Sequence, residues 1–75
     1  MIDSPTRVDK DKLLARRTQM RLSRAELARR TQLDASYLYF LETGRRQNTR
    51  PVTLGKIADA LGCAGEDLMP DKVAT

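Results

Sequence analysis

The sequence predicts an all-α domain, a compact bundle of five short helices, and three observations carry that expectation. Apolar residues recur at helical spacing, most clearly at Leu54, Ile57, Ala58 and Leu61, as they do on a helix face packed against a core. Strand signals are almost absent. Helix start and stop residues punctuate the chain: Asp9, Ser23, Asp34 and Thr53 read as N-caps, and Gly44 and Gly62 as terminators. At 75 residues the chain is one small domain with a core just large enough for a helical bundle.

Taken in order, residues 1–8 contain Ser4-Pro5-Thr6 and no periodicity, so they read as a flexible N-terminal arm. Asp9 caps a first helix to about Met20, with Leu13, Leu14, Arg17 and Met20 on one side. Ser23, with Glu26 three residues later, forms a capping box for a second helix over Arg24 to Arg30 that buries Leu27 and Ala28. Only Thr31 to Leu33 separate it from a third helix, Ala35 to Glu42, which buries Leu38 and Leu41 and ends at Gly44. So short a connection makes the two helices cross steeply and leaves one of them an outer face free of the core. Arg45 to Pro51 is a polar loop. Thr53 then caps a fourth helix to about Leu61, and a short fifth helix around Gly65 to Met69 stops before Pro70. The folded domain is expected over 9–70, with 71–75 a flexible C-terminal tail.

Charge is unevenly distributed. Residues 1–22 and 23–50 each carry a net +3, whereas residues 51–75 carry −2. Such asymmetry suits a face that attracts a polyanion opposite one that does not, or a solubilising surface with no partner. A single cysteine, Cys63, forms no internal disulfide, which suits a reducing compartment. Without histidine a Cys/His zinc site is excluded, and no metal or cofactor is expected. No apolar run approaches the ~20 residues of a membrane span, and residues 1–8 lack the apolar stretch of a secretory signal.

The third helix is the informative one. At about 100° per residue, Leu38, Leu41 and Tyr37 share the core side. Ala35, Ser36, Tyr39, Phe40 and Thr43 fall on the other. An exposed Tyr and Phe on a short helix lack a folding reason. In a DNA major groove they have one: Phe and Ala can meet thymine methyls, while Ser, Thr and Tyr can hydrogen-bond base edges or phosphates. The competing structural reading folds Phe40 back onto the fourth helix or into a dimer contact. Arg24 opens the second helix, where backbone N–H groups and the helix dipole favour a phosphate. Arg45, Arg46 and Arg50 follow the third helix and could track one DNA strand, or could simply be solvated. Arg29 and Arg30, at a helix C-terminus, read as structural.

The run from Leu13 to Met69 resembles the Cro/Xre-type helix-turn-helix family of phage repressors and bacterial regulators. The matching residues are Arg17, Leu22-Ser23, Glu26-Leu27-Ala28, Leu33, Leu38, Leu41-Glu42, Gly44, Leu54, Ile57-Ala58, Ala60-Leu61-Gly62 and Leu68. The resemblance implies a five-helix, lambda repressor-like domain whose third helix enters the major groove. By position it implies base reading by Ala35, Ser36, Tyr39 and Phe40, and phosphate or rim contacts by Arg24, Thr43, Arg45, Arg46 and Arg50. It also implies a structural pair between Arg17 and Glu42. Three departures stand out. Arg21 and Gln32 occupy places where the family usually has Gly, so both are expected at positive φ. The 45–50 loop is longer than in compact phage repressors. Ala64 replaces the usual polar cap before the last helix.

The expected function is that of a sequence-specific, double-stranded DNA-binding transcriptional regulator. It reads as a repressor, binding an inverted repeat as a weak homodimer formed on the operator, through contacts near the ends of helix 4 or on helix 5. The alternative is an antitoxin or other module binding a protein partner through the acidic fourth and fifth helices and an exposed Met69. An enzyme is not expected, since Glu42, the carboxylate nearest the aromatic helix, is better explained as the partner of Arg17. A cytoplasmic, nucleoid-associated protein of bacterial or phage origin, with no membrane role, completes the expectation.

Overall fold

The computed structural model describes residues 4–71. Its elements run β1 (Thr6–Arg7), α1 (Lys10–Gln19), α2 (Arg24–Thr31), α3 (Ala35–Thr43), β2 (Asn48–Thr49) and α4 (Pro51–Leu61), followed by a 3₁₀ turn over Gly65–Leu68. The helical architecture holds, with four α-helices among the described residues where five are expected. The expected fifth helix is the 3₁₀ turn. Hemmed between Gly62 and Pro70, the segment is too short to complete successive α-helical turns. Ala64 offers no side-chain cap there. Instead its backbone N–H donates to the Asp67 carboxylate at 2.9 Å, which pins the turn from the other end.

Start signals act unequally. Asp9 accepts from the backbone N–H groups of Asp11 and Lys12 at 2.9 and 3.1 Å, and Ser23 Oγ accepts from that of Glu26 at 3.0 Å. Asp34 occupies the N-cap position of α3 but makes no side-chain cap bond. α4 begins earlier than expected: Arg50 holds the N-cap position and Pro51 is the first helical residue. The pyrrolidine ring presets the helical φ and has no N–H to leave unpaired, so Thr53 lies inside the helix rather than capping it.

Residues 6–8 differ from an arm. Thr6 pairs with Thr49 and Arg7 with Asn48 in a two-stranded antiparallel ribbon, and the Val8 N–H donates to the Gln47 carbonyl at 2.9 Å. Val8 is buried with the core. The 45–50 segment is therefore ribbon at Asn48–Thr49 rather than loop throughout. Residues 1–3 of the expected arm and 72–75 of the expected tail lie outside the described residues.

Leu13, Leu27, Leu38, Leu41, Ile57, Leu61 and Leu68 form the solvent-free centre of the core, drawn from all four helices and the 3₁₀ turn. Leu14 and Met20, expected on the buried side of α1, are 41% and 42% exposed. α1 turns the Leu13–Arg17 line inward and uses its polar flank as a clamp. Arg16 Nε and Nη2 donate to the Leu61 and Gly62 carbonyls at the end of α4, at 3.0 and 2.9 Å. Lys12 Nζ donates to the Met69 carbonyl at 2.9 Å. Cations placed on the unpaired carbonyls of a helix C-terminus are stabilising there.

Both expected left-handed residues are present: Arg21 has φ 57° and Gln32 φ 60°. Gly44 ends α3 at φ 83°, the left-handed region that favours glycine, and an added Cβ would meet only the flexible Lys10 side chain, 3.0 Å from its Cδ. No helix among the described residues is long and apolar enough to cross a membrane.

Candidate nucleic-acid interface

α3 has two unlike faces. On its inner side Leu38 and Leu41 are buried, and so is Glu42, at 7% exposure. Arg17, from α1, donates to this carboxylate twice, Nε to Oε2 at 2.6 Å and Nη2 to Oε1 at 3.0 Å. Its Nη1 donates to the Leu22 carbonyl at 2.8 Å. This fork saturates most of the buried carboxylate and ties α1, the turn before α2, and α3 together. Arg24, the first residue of α2, adds a third donor, Nε to Glu42 Oε1 at 3.1 Å.

On the outer side Ala35, Ser36, Tyr39, Phe40 and Thr43 are all exposed, with Tyr39 at 43% and Phe40 at 38%. Phe40 does not fold back onto α4. The two rings lie 5.9 Å apart, tilted at 59°, which is a favourable edge-on geometry for aromatics. A guanidinium covers each ring: Arg24 sits 4.9 Å from the Tyr39 centroid and Arg45 6.0 Å from that of Phe40. The result is a row Arg24–Tyr39–Phe40–Arg45 across the front of α3. Thr43 Oγ1 donates back to the Phe40 carbonyl at 3.3 Å.

Tyr37 faces the other way. Its hydroxyl lies 2.5 Å from Thr49 Oγ1, and Arg46 covers its ring at 5.1 Å. Arg46 also donates its backbone N–H to the Phe40 carbonyl at 3.0 Å, which fixes the exit from α3. Among the described residues Arg45, Arg46 and Arg50 form no ion pair. All three are exposed in the segment between α3 and α4. Arg29 and Arg30, by contrast, both pair with Glu26 along α2.

The charge pattern of the sequence therefore divides in a way that counting does not show. Lys12, Arg16 and Arg17 are occupied inside the fold, whereas Arg45, Arg46 and Arg50 form no ion pair among the described residues. The Arg24–Glu42 pair also escapes a local reading, because the two are 18 residues apart in the chain. Cys63 lies in the loop after α4. Burial pushes its thiol pKa up against the opposing pull of Arg16, which favours the protonated form near neutral pH. No group of metal-ligating side chains occurs among the described residues.

A family model described as a helix-turn-helix domain matches residues 11–70. No curated protein matches the chain. Among solved structures, SinR, the master regulator for biofilm formation, crystallised in complex with DNA, is 22% identical with a TM-score of 0.76. The match covers 79% of this chain and 97% of that one, and at this identity the likeness is one of fold. ClgR, the clp gene regulator of Corynebacterium glutamicum, is 28% identical with a TM-score of 0.72, covering 77% of this chain and 61% of its own. Apo-HppE is also 28% identical, with a TM-score of 0.75, but this chain spans only 34% of it against 81% of itself. The same fold thus occurs nearly alone and as one part of longer chains.

Proposed function

From its membership of the Cro/Xre-type helix-turn-helix family, to which the chain belongs, we propose that this protein is a sequence-specific double-stranded DNA-binding transcription regulator that acts as a repressor. One observation carries the reading: the front of α3 is a partly exposed aromatic surface, followed by Arg45, Arg46 and Arg50, which form no ion pair among the described residues. Ala35, Ser36, Tyr39 and Phe40 are the base-reading residues, with Phe40 and Ala35 suited to thymine methyls and Ser36 and the Tyr39 hydroxyl to polar base edges. Arg45, Arg46, Arg50 and Thr43 supply the phosphate and rim contacts that set register without reading sequence. Arg24, beside them at the start of α2, is the remaining candidate of that kind.

Two copies would meet on an inverted repeat with half-sites about 34–36 Å apart, so that both α3 helices enter successive major grooves on one side of the duplex. Contacts near the ends of α4 or on the 3₁₀ turn would join them and leave α2 and α3 free. The cytoplasm is the compartment this role requires. Selection of bound sequences from random duplexes at a stated salt concentration tests the reading. A symmetric consensus is the expected result, and the absence of any enrichment would overturn it.

A second reading, a regulatory module held by a protein partner, draws on the exposed acidic residues Asp59, Glu66 and Asp67. The structural likeness extends to SinR in its complex with SinI, at 22% identity and TM-score 0.77, over 83% of this chain and 60% of that one. Met69, however, is half-buried against the core rather than exposed, so the acidic surface lacks the apolar anchor expected there.

A further inference from the structure

We propose that Arg24 is a positioning residue for Tyr39, holding that ring in its reading pose through Glu42 rather than neutralising a phosphate. The inference rests on α3 being the reading helix.

Tyr39 and Glu42 are three residues apart on α3 and so are neighbours along its surface. Arg24 reaches across from α2 and touches both. Its Nε donates to Glu42 Oε1 at 3.1 Å while its guanidinium lies 4.9 Å from the Tyr39 ring centroid. Glu42 itself is immobile, since its side chain is 2% exposed and gripped by the Arg17 fork. The orientation of the Arg24 plane is therefore set by a buried acceptor, and the ring packed against that plane inherits the constraint. Tyr39 makes no side-chain hydrogen bond among the described residues and is 43% exposed, with the tilted ring of Phe40 5.9 Å away. A guanidinium already committed to a carboxylate also has less charge to offer a phosphate than the unpaired Arg45 or Arg50.

Two substitutions separate positioning from phosphate contact. Arg24→Lys keeps the charge but loses the planar group and the fixed Nε donor. Arg24→Gln removes the charge. Neither should unfold the domain, because Arg17 still satisfies Glu42. Three readouts are needed: the salt dependence of DNA affinity, the preference at each base pair of the selected site, and the Tyr39 ring resonances of the free protein. Both variants are expected to shift those resonances without DNA. Both should relax preference at one base position by about two- to fivefold, the scale of an exposed cation–π contact, with the salt slope unchanged. In a Tyr39→Leu background, Arg24→Lys should cost no further preference.

An Arg24→Lys protein that reads DNA as the parent does, with Arg24→Gln lowering the slope by about 0.9, would make Arg24 a phosphate ligand and overturn the proposal. Unmoved Tyr39 resonances in both variants would overturn it equally. If the parent shows no sequence preference at all, the reading of α3 fails first. The ring resonances still decide whether Arg24 restrains Tyr39.

Discussion

The two faces of α3 are built from the same nine residues by opposite means. The inner face is fixed by burial: Leu38 and Leu41 lie in the core, and Glu42 is held by Arg17 and Arg24. The outer face is only partly covered. Its two rings, 43% and 38% exposed, lie between two guanidinium groups. A helix that only had to fold would not keep two aromatics on its wet side, since exposed rings forfeit the burial that makes them useful in a core. The difference teaches that one short helix can carry a face that holds the fold and, on the proposed reading, a face that recognises DNA, with Arg24 touching both. Substitutions should sort by the face they touch.

Glu42→Ala should break the inner face most severely. The Arg17 guanidinium would keep only the Leu22 carbonyl and be left partly buried without its counter-charge, at a cost of about 3–5 kcal/mol. Denaturant unfolding measures this directly. The fraction that stays folded should also lose preference at the Tyr39 position, because Arg24 loses the carboxylate that orients it. A Glu42→Ala protein that melts with the parent would show that the pair contributes nothing and that the inner face is held by leucines alone.

On the outer face, Phe40→Ala, Tyr39→Ala and Ser36→Ala should leave the unfolding midpoint nearly unchanged. Each should alter preference at its own operator position, by about 1–3 kcal/mol per lost base contact. Competition binding against singly substituted duplexes reads this out. If all three discriminate as the parent does, α3 is not the reader and the comparison of faces loses its functional half.

Smaller effects should come from the arginines beside α3. Replacing Arg45 or Arg50 by Ala is expected to weaken binding to all sequences alike, and to lower the salt slope by about 0.9 for each phosphate contact removed. Arg46 should differ. Because the Tyr37 ring it covers is packed against the core, and is closer to its guanidinium than the Phe40 ring is to that of Arg45, Arg46→Ala should also lower stability, by about 0.5–1 kcal/mol. Equal slopes in all three variants and the parent would mean that this side of α3 is only solvated surface.

Much of this was legible from sequence because local rules decide it. Ser23 and Asp9 cap the helices they precede, the leucine spacing selects the core, and the family pattern places left-handed residues at Arg21 and Gln32. What could not be read depends on contacts distant in the chain. Thr6 and Arg7 carry no strand signal of their own and become strand only because Asn48 and Thr49 pass beside them. The roles of Lys12 and Arg16 are set by carbonyls at Leu61, Gly62 and Met69, which no helical period announces. Arg24 is the sharpest case. Its place at a helix N-terminus argues for a phosphate, while its partner Glu42 appears only once α2 and α3 have packed.

The turn between α2 and α3 sets the angle at which the two faces are presented, and it offers the finest test. Gln32 closes α2 at φ 60° and ψ 31°, with its N–H bonded to the Ala28 carbonyl. The Leu33 N–H donates to the same carbonyl at 3.1 Å, so the backbone is committed on both sides of the left-handed residue. The Gln32 side chain is exposed and makes no hydrogen bond among the described residues, so truncation removes strain without removing a hydrogen bond. A side chain in this region costs roughly 1 kcal/mol. Gly recovers that, offset in part by the freedom it gives the unfolded chain, about 0.4–1 kcal/mol. Gln32→Gly should therefore stabilise the domain by a few tenths of a kcal/mol at most, and base preference should not move, because the turn that aims α3 keeps its geometry. A drop of several degrees in melting temperature would mean that the Gln32 side chain supports the turn. A changed base preference with unchanged stability would mean that stiffness at this residue, as well as the faces of α3, helps to set what the helix reads.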